Sequence, residues 1–214
     1  MLAPPGKESI TAVILAGGLG TRMGGVDKGL QLFNGVALAQ HALQRLLPQV
    51  GGVIINANRN VAIYESFGVP VWPDDNALGE FAGPLAGVIT ALRHCKTPYL
   101  LTVPCDAPLF PLDLAARLAT ALANGDTDFA VVSAPESSLA SEPCRPQPVF
   151  SLMKTTMLDG LLEYTQTGGR KVSAWMLQHS LVHVPFNLPG DAANAFFNAN
   201  TLEELNSAEF LSKK

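Results

Sequence analysis

The sequence predicts a three-layer α/β fold, a Rossmann-like, mostly parallel sheet with helices on both faces. Short β-branched runs alternate with helical patterns at βαβ spacing from residue 11 to about residue 133. These runs are apolar throughout instead of alternating, as strands covered on both faces are. Charged residues are only 15% of the 214, and hydrophobic residues 48%, enough for a large core without staples.

Thr11 to Leu15 (TAVIL) is the first strand, and it stops at Gly17-Gly18. Residues 16–35 are glycine-rich and carry no periodicity. Leu38, Leu43, Leu46 and Leu47 fall near helical spacing, and Gly51-Gly52 ends that helix. Val53 to Asn56 is the second strand, Val61 to Phe67 a short helix, and Val69 to Trp72 the third strand. Pro84 suits a first helical turn, so Leu85 to Cys95 continues a helix. Tyr99 to Val103 is the fourth strand, Leu112 to Ala123 a helix, and Phe129 to Ser133 a fifth strand. Residues 134–146 are Pro- and Ser-rich and read as a loop. Gln147 to Leu152 then reads as a strand, Thr155 to Gln166 and Val172 to His179 as helices, and Leu181 to Val184 as a last strand. Thr201 to Glu204 has the pattern of a capping box opening a C-terminal helix. Residues 1–10 read as a disordered lead-in and 11–214 as one domain.

Fourteen Lys and Arg face eighteen Asp and Glu, a net charge of −4, and no basic tract is present. Nucleic acid is therefore excluded as a partner. No stretch reaches the ~18 apolar residues of a membrane span, and the N-terminus lacks the pattern of a signal peptide. Cys95, Cys105 and Cys144 are scattered and odd in number, which fits reduced thiols in a cytoplasmic protein.

In an open α/β sheet, ligands bind beyond the carboxyl ends of the strands. The polar clusters obey that rule: the first strand runs into the glycine loop, the second into Asn56, the third into Asp74-Asp75 and the fourth into Asp106. Residues 15–28 read LAGGLGTRMGGVDK, with five glycines, Arg22 and Lys28. Such a loop brings backbone N–H groups and positive charge to one anion, and reads as a polyphosphate site. It is not a Walker A loop, because Asp27 precedes Lys28 and Gly29 follows it. It is not the dinucleotide fingerprint either, because Met23 stands where the third glycine would be. The four histidines, His41, His94, His179 and His183, share no spacing with a carboxylate motif and read as structural or surface residues.

LAGGLGTRMGGVDKGL resembles the signature of nucleotidyltransferases that activate sugars, polyols and molybdopterin, and the implied fold is of the nucleotide-diphospho-sugar transferase type. With Gly83-Pro84-Leu85-Ala86-Gly87, Pro104-Cys105-Asp106-x-Pro108, Asn56-Ala57-Asn58-Arg59 and a C-terminal FNxNTxEEL, the ordered set is similar to the molybdenum cofactor guanylyltransferases. The resemblance covers nearly the whole chain. It implies transfer of GMP from GTP to molybdopterin, with release of pyrophosphate and with Mg²⁺ as cofactor.

By the same resemblance, Leu15, Ala16, Gly17 and Gly18 line the GTP path, Lys28 contacts phosphates, Asn56 and Asp74 hold the nucleoside, and Asp106 binds the nucleotide through Mg²⁺. Arg22, Lys28 and Asp106 form the catalytic set. Arg22 would stabilise the triphosphate or the leaving pyrophosphate through its forked donors. The part of the chain to about residue 133 would bind GTP and the remainder would receive molybdopterin. Gln147, Arg170, Lys171, Asn198 and Asn200 are the candidates there, with Arg170-Lys171 read as a basic flap; solvated surface or capping explains these five equally well. The sequence leaves open whether Asp74 or Asp75 faces the nucleotide. The resemblance further implies transient contacts with molybdenum-insertion proteins and apo-molybdoenzymes. Two rivals differ in kind. A cytidylyltransferase on the same cofactor differs in the LAGG and GPLAG stretches, and a non-catalytic GTP-binding delivery protein could lose Lys28 or Asp106.

Overall fold

The computed structural model describes residues 3–18, 26–75, 83–125, 127–135, 143–192, 194–196 and 198. A seven-stranded sheet organises them. Its strands are β1 (Ile10–Leu15), β4 (Gly52–Asn56), β5 (Val71–Trp72), β6 (Tyr99–Pro104), β7 (Phe129–Ala134), β8 (Arg145–Lys154) and β9 (Leu181–Pro185). They lie in the order β5-β4-β1-β6-β8-β7-β9. All neighbours pair in parallel except at β8, which runs antiparallel to β6 and to β7. A separate hairpin joins β2 (Leu32–Phe33) to β3 (Val36–Ala37).

The sheet is covered on both faces, which explains its uniformly apolar strands. Side chains alternate across β1: Ile10, Ala12 and Ile14 enter one core and Val13 the other. The first core also takes Ala39, Ala42, Leu43 and Leu46 of α1 (Leu38–Leu46), Tyr64 of α2 (Val61–Glu65), and Leu114, Leu118 and Leu122 of α4 (Leu114–Asn124). The second takes Leu85, Val88, Ile89 and Leu92 of α3 (Pro84–His94), Leu161 of α5 (Leu158–Gln166) and Trp175 and Met176 of α6 (Val172–Met176). These are the three layers that the sequence predicts.

Several boundaries differ from the sequence reading. Residues 7–10, expected within the N-terminal lead-in, have regular structure. Residues Lys7–Ser9 form a 3-10 turn, Ile10 opens β1 and is 1% exposed, and the Gly51 N–H donates to the Ile10 carbonyl (3.0 Å). The hairpin β2–β3 falls in a region read as aperiodic. Its signal is Asn34-Gly35, both at positive φ (50° and 77°), as a type I′ turn requires. β8 starts at Arg145, inside the expected loop, and is interrupted where its pairing to β7 shifts between Val131 and Val132. Pro146 and Pro148 hid it, because proline cannot donate to a ladder. The helix expected to start at Thr155 begins with a 3-10 turn over Thr155–Met157, and α6 stops at Met176 rather than His179. The expected C-terminal helix from Thr201 lies outside the described residues. Among the described residues no helix is long and apolar enough to cross a membrane.

Chain order places the site. From β1 the chain passes to β4 and β5 on one side, then returns to β6 on the other. The carboxyl end of β1 is thus the point where the winding reverses, the usual ligand crevice of an open α/β sheet.

Candidate nucleotide site

Register alone gathers the strand-end residues. Leu15 lies beside Asn56 on one side and Pro104 on the other, and Asn56 lies beside Trp72. Gly17, Asp74 and Asp106 each follow two residues beyond one of these partners, at the same edge of the sheet. The Ala16 N–H donates to the Asn56 carbonyl (2.8 Å) and the Cys105 N–H to the Leu15 carbonyl (3.2 Å). Leu15 and Ala16 therefore extend the sheet ladder, and the glycine loop leaves it at Gly17-Gly18.

Asn56 and Asp74 anchor a polar cluster on the β4–β5 side. Asn56 is 3% exposed, and its Nδ2 donates to the Trp72 carbonyl (3.1 Å) and to Asp74 Oδ1 (2.8 Å). Asn58 Nδ2 donates to Asp74 Oδ2 (2.7 Å) and to the Gly17 carbonyl (3.2 Å), while Asn58 Oδ1 accepts from the Asp74 N–H (2.7 Å). Both oxygens of Asp74 are thus held before any ligand arrives, and each retains acceptor capacity. Asp75 forms an ion pair with Arg93 of α3, whereas Asp74 is held in the Asn56–Asn58 cluster.

Two glycines make room for Asn56. A Cβ on Gly87, in the first turn of α3, would meet Asn56 Oδ1 at 2.3 Å, and one on Gly17 would meet it at 3.0 Å. The helix and the loop therefore close over the same amide, and both positions require hydrogen in place of a methyl.

Lys28 and Asp106 meet on the β6 side. Lys28 Nζ donates to Asp106 Oδ2 at 3.2 Å, and the two side chains are 22% and 15% exposed. Lys28 opens a 3-10 turn, Lys28–Leu30, that ends the glycine loop. Cys105, between Pro104 and Asp106, is buried, and burial, reinforced by the Asp106 charge, pushes its thiol well above the ordinary range. It fills space as a protonated thiol, consistent with a chemistry that needs no sulfur nucleophile. Among the described residues no group of three His, Cys, Asp or Glu side chains converges on one point.

Of the residues expected at the second substrate, Gln147 lies on β8, which reaches this same edge of the sheet, and pairs there with Val132 of β7. Arg170 is exposed and donates to the carbonyls of Thr165 (2.9 Å) and Gly169 (2.8 Å), closing the end of α5. Lys171 is exposed, and its carbonyl accepts from the Tyr164 hydroxyl (3.3 Å). The turn expected as a flap is thus bonded to α5. Asn198 is half-buried, two residues beyond Phe196, whose ring packs on Phe150 of β8. Arg22 and Asn200 lie outside the described residues.

Asn58, Arg59, Asn60, Tyr64 and Asp27, which the sequence does not single out as site residues, also lie here. Arg59 Nη2 donates to the Gly18 carbonyl (3.1 Å), and Asn60 and Tyr64 both donate to Asp27. The signal available was the polar run Asn56 to Asn60 directly after a buried strand. The histidines are structural or peripheral, as expected: His41 bonds the Phe33 carbonyl (2.7 Å), His94 stacks on Trp72, and His179 packs against Phe129 and Trp175.

A reversing parallel sheet that ends in a glycine loop, with a lysine–aspartate pair on one side and a preorganised carboxylate on the other, defines a nucleotidyltransferase. Comparison with known proteins agrees. Residues 12–182 match the family described as the MobA-like NTP transferase domain. The chain is 59% identical over 206 residues to a molybdenum cofactor guanylyltransferase of Acidovorax sp. (strain JS42), covering 95% of this chain and 97% of that one. It is 57% identical over 199 residues to the protein of that name from Ralstonia nicotianae, covering 92% and 95%. The chain belongs to the molybdenum cofactor guanylyltransferase family. The fold is shared with the molybdopterin-guanine dinucleotide biosynthesis protein A of Archaeoglobus fulgidus (TM-score 0.75, 20% identity, 95% and 98% covered). It is also shared with the 4-diphosphocytidyl-2C-methyl-D-erythritol synthase of Anaerococcus prevotii (TM-score 0.73, 10% identity, 97% of each chain).

Proposed function

We propose that this enzyme transfers GMP from GTP to molybdopterin, releasing pyrophosphate and forming the molybdopterin guanine dinucleotide. The observation that carries the reading is the Lys28–Asp106 pair at 3.2 Å, one strand away from the Asn56–Asn58–Asp74 cluster. A nucleoside triphosphate laid across β1 would meet the cluster with its nucleoside end and the pair with its phosphates. The names of the relatives supply the guanine and the molybdopterin.

The chemistry suits these residue types. An oxygen of the acceptor phosphate attacks the α-phosphorus, a new O–P bond forms, and the bond to the β-phosphate oxygen breaks. The acceptor is already an anion, so no side chain need become a covalent nucleophile. Positioning and charge stabilisation do most of the work. Lys28 pairs with phosphate oxygens that carry the charge, and Arg22 adds a forked donor for the leaving pyrophosphate.

Asp106 fits a divalent ion of the Mg²⁺ type. It is a single, mostly shielded carboxylate at a strand end, and Mg²⁺ takes one or two carboxylates plus substrate phosphates in preference to an all-protein cage. When bound, such an ion neutralises phosphate charge. The molybdopterin end falls to Gln147 and Asn198 on the β8 side, with Arg170 and Lys171 at the periphery; Asn200 is a further candidate from the sequence. Three free cysteines suit a cytoplasmic setting; brief contacts with molybdenum-insertion proteins and apo-molybdoenzymes would supply the acceptor and take the product.

The test is incubation of the protein with Mg²⁺ and molybdopterin and, separately, GTP, CTP or ATP. Dinucleotide with GTP alone is expected. Dinucleotide with CTP but not GTP would overturn the guanine assignment, and GTP binding without any product would favour a delivery protein.

A further inference from the structure

We propose that the segment from Asn58 to Tyr64 is a clasp that holds both ends of the nucleotide loop, with Tyr64 acting through Asp27 as a positioning residue for Lys28. The proposal rests on the nucleotidyl-transfer reading of the site.

The loop leaves the sheet at Gly17-Gly18 and returns at Asp27-Lys28. Neighbouring residues of one segment hold both ends. At the exit from β1, Asn58 donates to the Gly17 carbonyl (3.2 Å) and Arg59 to the Gly18 carbonyl (3.1 Å). At the return, Asn60 Nδ2 donates to Asp27 Oδ2 (2.9 Å) and the Tyr64 hydroxyl to Asp27 Oδ1 (2.6 Å). Each carboxylate oxygen has its own donor. Asn58 also belongs to the Asp74 cluster, so the clasp joins the nucleoside end of the site to the phosphate end.

Tyr64 is the rigid member. Its ring is fully buried in the core under the sheet. Burial, and next the bond to Asp27, pushes its hydroxyl well above the usual range, so it remains a donor at any working pH. Lys28 is fixed from both neighbours. Asp27 before it is bonded to Tyr64. Gly29 after it is buried where a Cβ would lie 2.4 Å from the Tyr64 oxygen and 3.3 Å from Cys105 Cβ. The backbone of Gly29 is therefore pressed between Tyr64 and the residue preceding Asp106. Losing the hydroxyl frees Asp27 on one side and opens space beside Gly29 on the other. Lys28 then meets phosphate from a wider range of positions, and small misplacements of a positioning group cost up to about 10²-fold in rate.

The test is a cycle of Tyr64→Phe and Lys28→Ala, read by steady-state GMP transfer and by calorimetric titration with Mg²⁺–GTP. Alone, Tyr64→Phe should lower kcat/KM by about 10-fold, mostly in kcat. On the Lys28→Ala background it should add nothing, because the group it positions is gone. A merely structural tyrosine would lower the active fraction equally on both backgrounds. Asn60→Gly, which keeps the left-handed backbone at this exposed residue (φ 51°) while removing the donor to Asp27, repeats the test if Tyr64→Phe folds poorly, with a smaller fall expected. Full activity of Tyr64→Phe, or additive losses in the cycle, would overturn the clasp. If the wild type binds GTP but transfers nothing, the transfer reading fails, and the clasp is then decided by the same non-additivity in GTP affinity. If the wild type does not bind GTP, both fall.

Discussion

Replacing Gly87 with alanine sets two effects against each other. In an ordinary helix the change should stabilise by about 1 kcal/mol, because alanine has the better propensity. Here the added methyl would stand 2.3 Å from Asn56 Oδ1, 2.8 Å from Leu15 Cδ2 and 2.9 Å from Asn56 Cγ. The buried amide must withdraw. It then loses its bond to the Trp72 carbonyl, about 1 kcal/mol, and its bond to the Asp74 carboxylate, about 2 kcal/mol. Set against the propensity gain, the net loss is about 2 kcal/mol. For a domain of this size that lowers Tm by about 4–8 °C. Asp74 also loses one of its two side-chain partners, and a tenfold rise in the KM for GTP corresponds to about 1.4 kcal/mol. Thermal unfolding and steady-state kinetics on the purified variant check both numbers. A Gly87→Ala protein as stable as the wild type, with an unchanged KM, would refute the packing of α3 onto Asn56 and its role in holding Asp74.

Asp106→Ala should reduce turnover by about 10³-fold while far-UV circular dichroism stays unchanged, since the change removes one strand-end carboxylate and the partner of Lys28. Cys105→Ala should keep most activity, and in the wild type Cys105 should resist alkylation at pH 7, because burial keeps its thiol protonated. The Arg117 hydrogen bond, aided by the Leu188 N–H and opposed by partial burial, holds the Asp191 carboxyl below its ordinary value. A depressed folded pKa contributes stability above the unfolded value, near 3.8, and that stability is lost as pH falls through the folded value. Arg117→Met should therefore lower stability at neutral pH and flatten the acid limb below about pH 4 in a urea-denaturation series.

How much was legible in the sequence depended on whether the cause was local. TAVIL, VIIN and YLLTV announced buried parallel strands because both faces of each are covered, and the polar residues that follow them mark the ligand edge. Asn56, Asp74 and Asp106 were singled out in that way and Lys28 from the glycine loop, and the fold brings all four to one edge of the sheet. The different settings of Asp74 and Asp75 were not local: the pairing of Asn56 with Trp72 lets Asn56 and Asn58 reach Asp74, the residue two beyond. Tyr64 looked like one more apolar residue of a short helix, and only the fold brings its hydroxyl to Asp27, 37 positions earlier. β8 was half-hidden by Pro146 and Pro148, while the β2–β3 hairpin carried a readable Asn-Gly turn inside a stretch dominated by the glycine loop.

The low charge of the chain also takes on a local meaning. Asp27, Lys28, Asp74 and Asp106, together with Arg59, are clustered at one edge of a sheet whose two faces are almost wholly apolar. That concentration places paired donors and acceptors on both sides of β1, as the proposed nucleotide site requires.

The central claim is that this edge directs attack to the α-phosphorus of GTP. The direct measurement uses GTP labelled at the α- or at the γ-phosphate, in the presence of Mg²⁺ and molybdopterin. Transfer of GMP puts the α-label in the dinucleotide and the γ-label in pyrophosphate. Recovery of γ-label on the pterin, or of α-label only as free GDP or GMP, would contradict it.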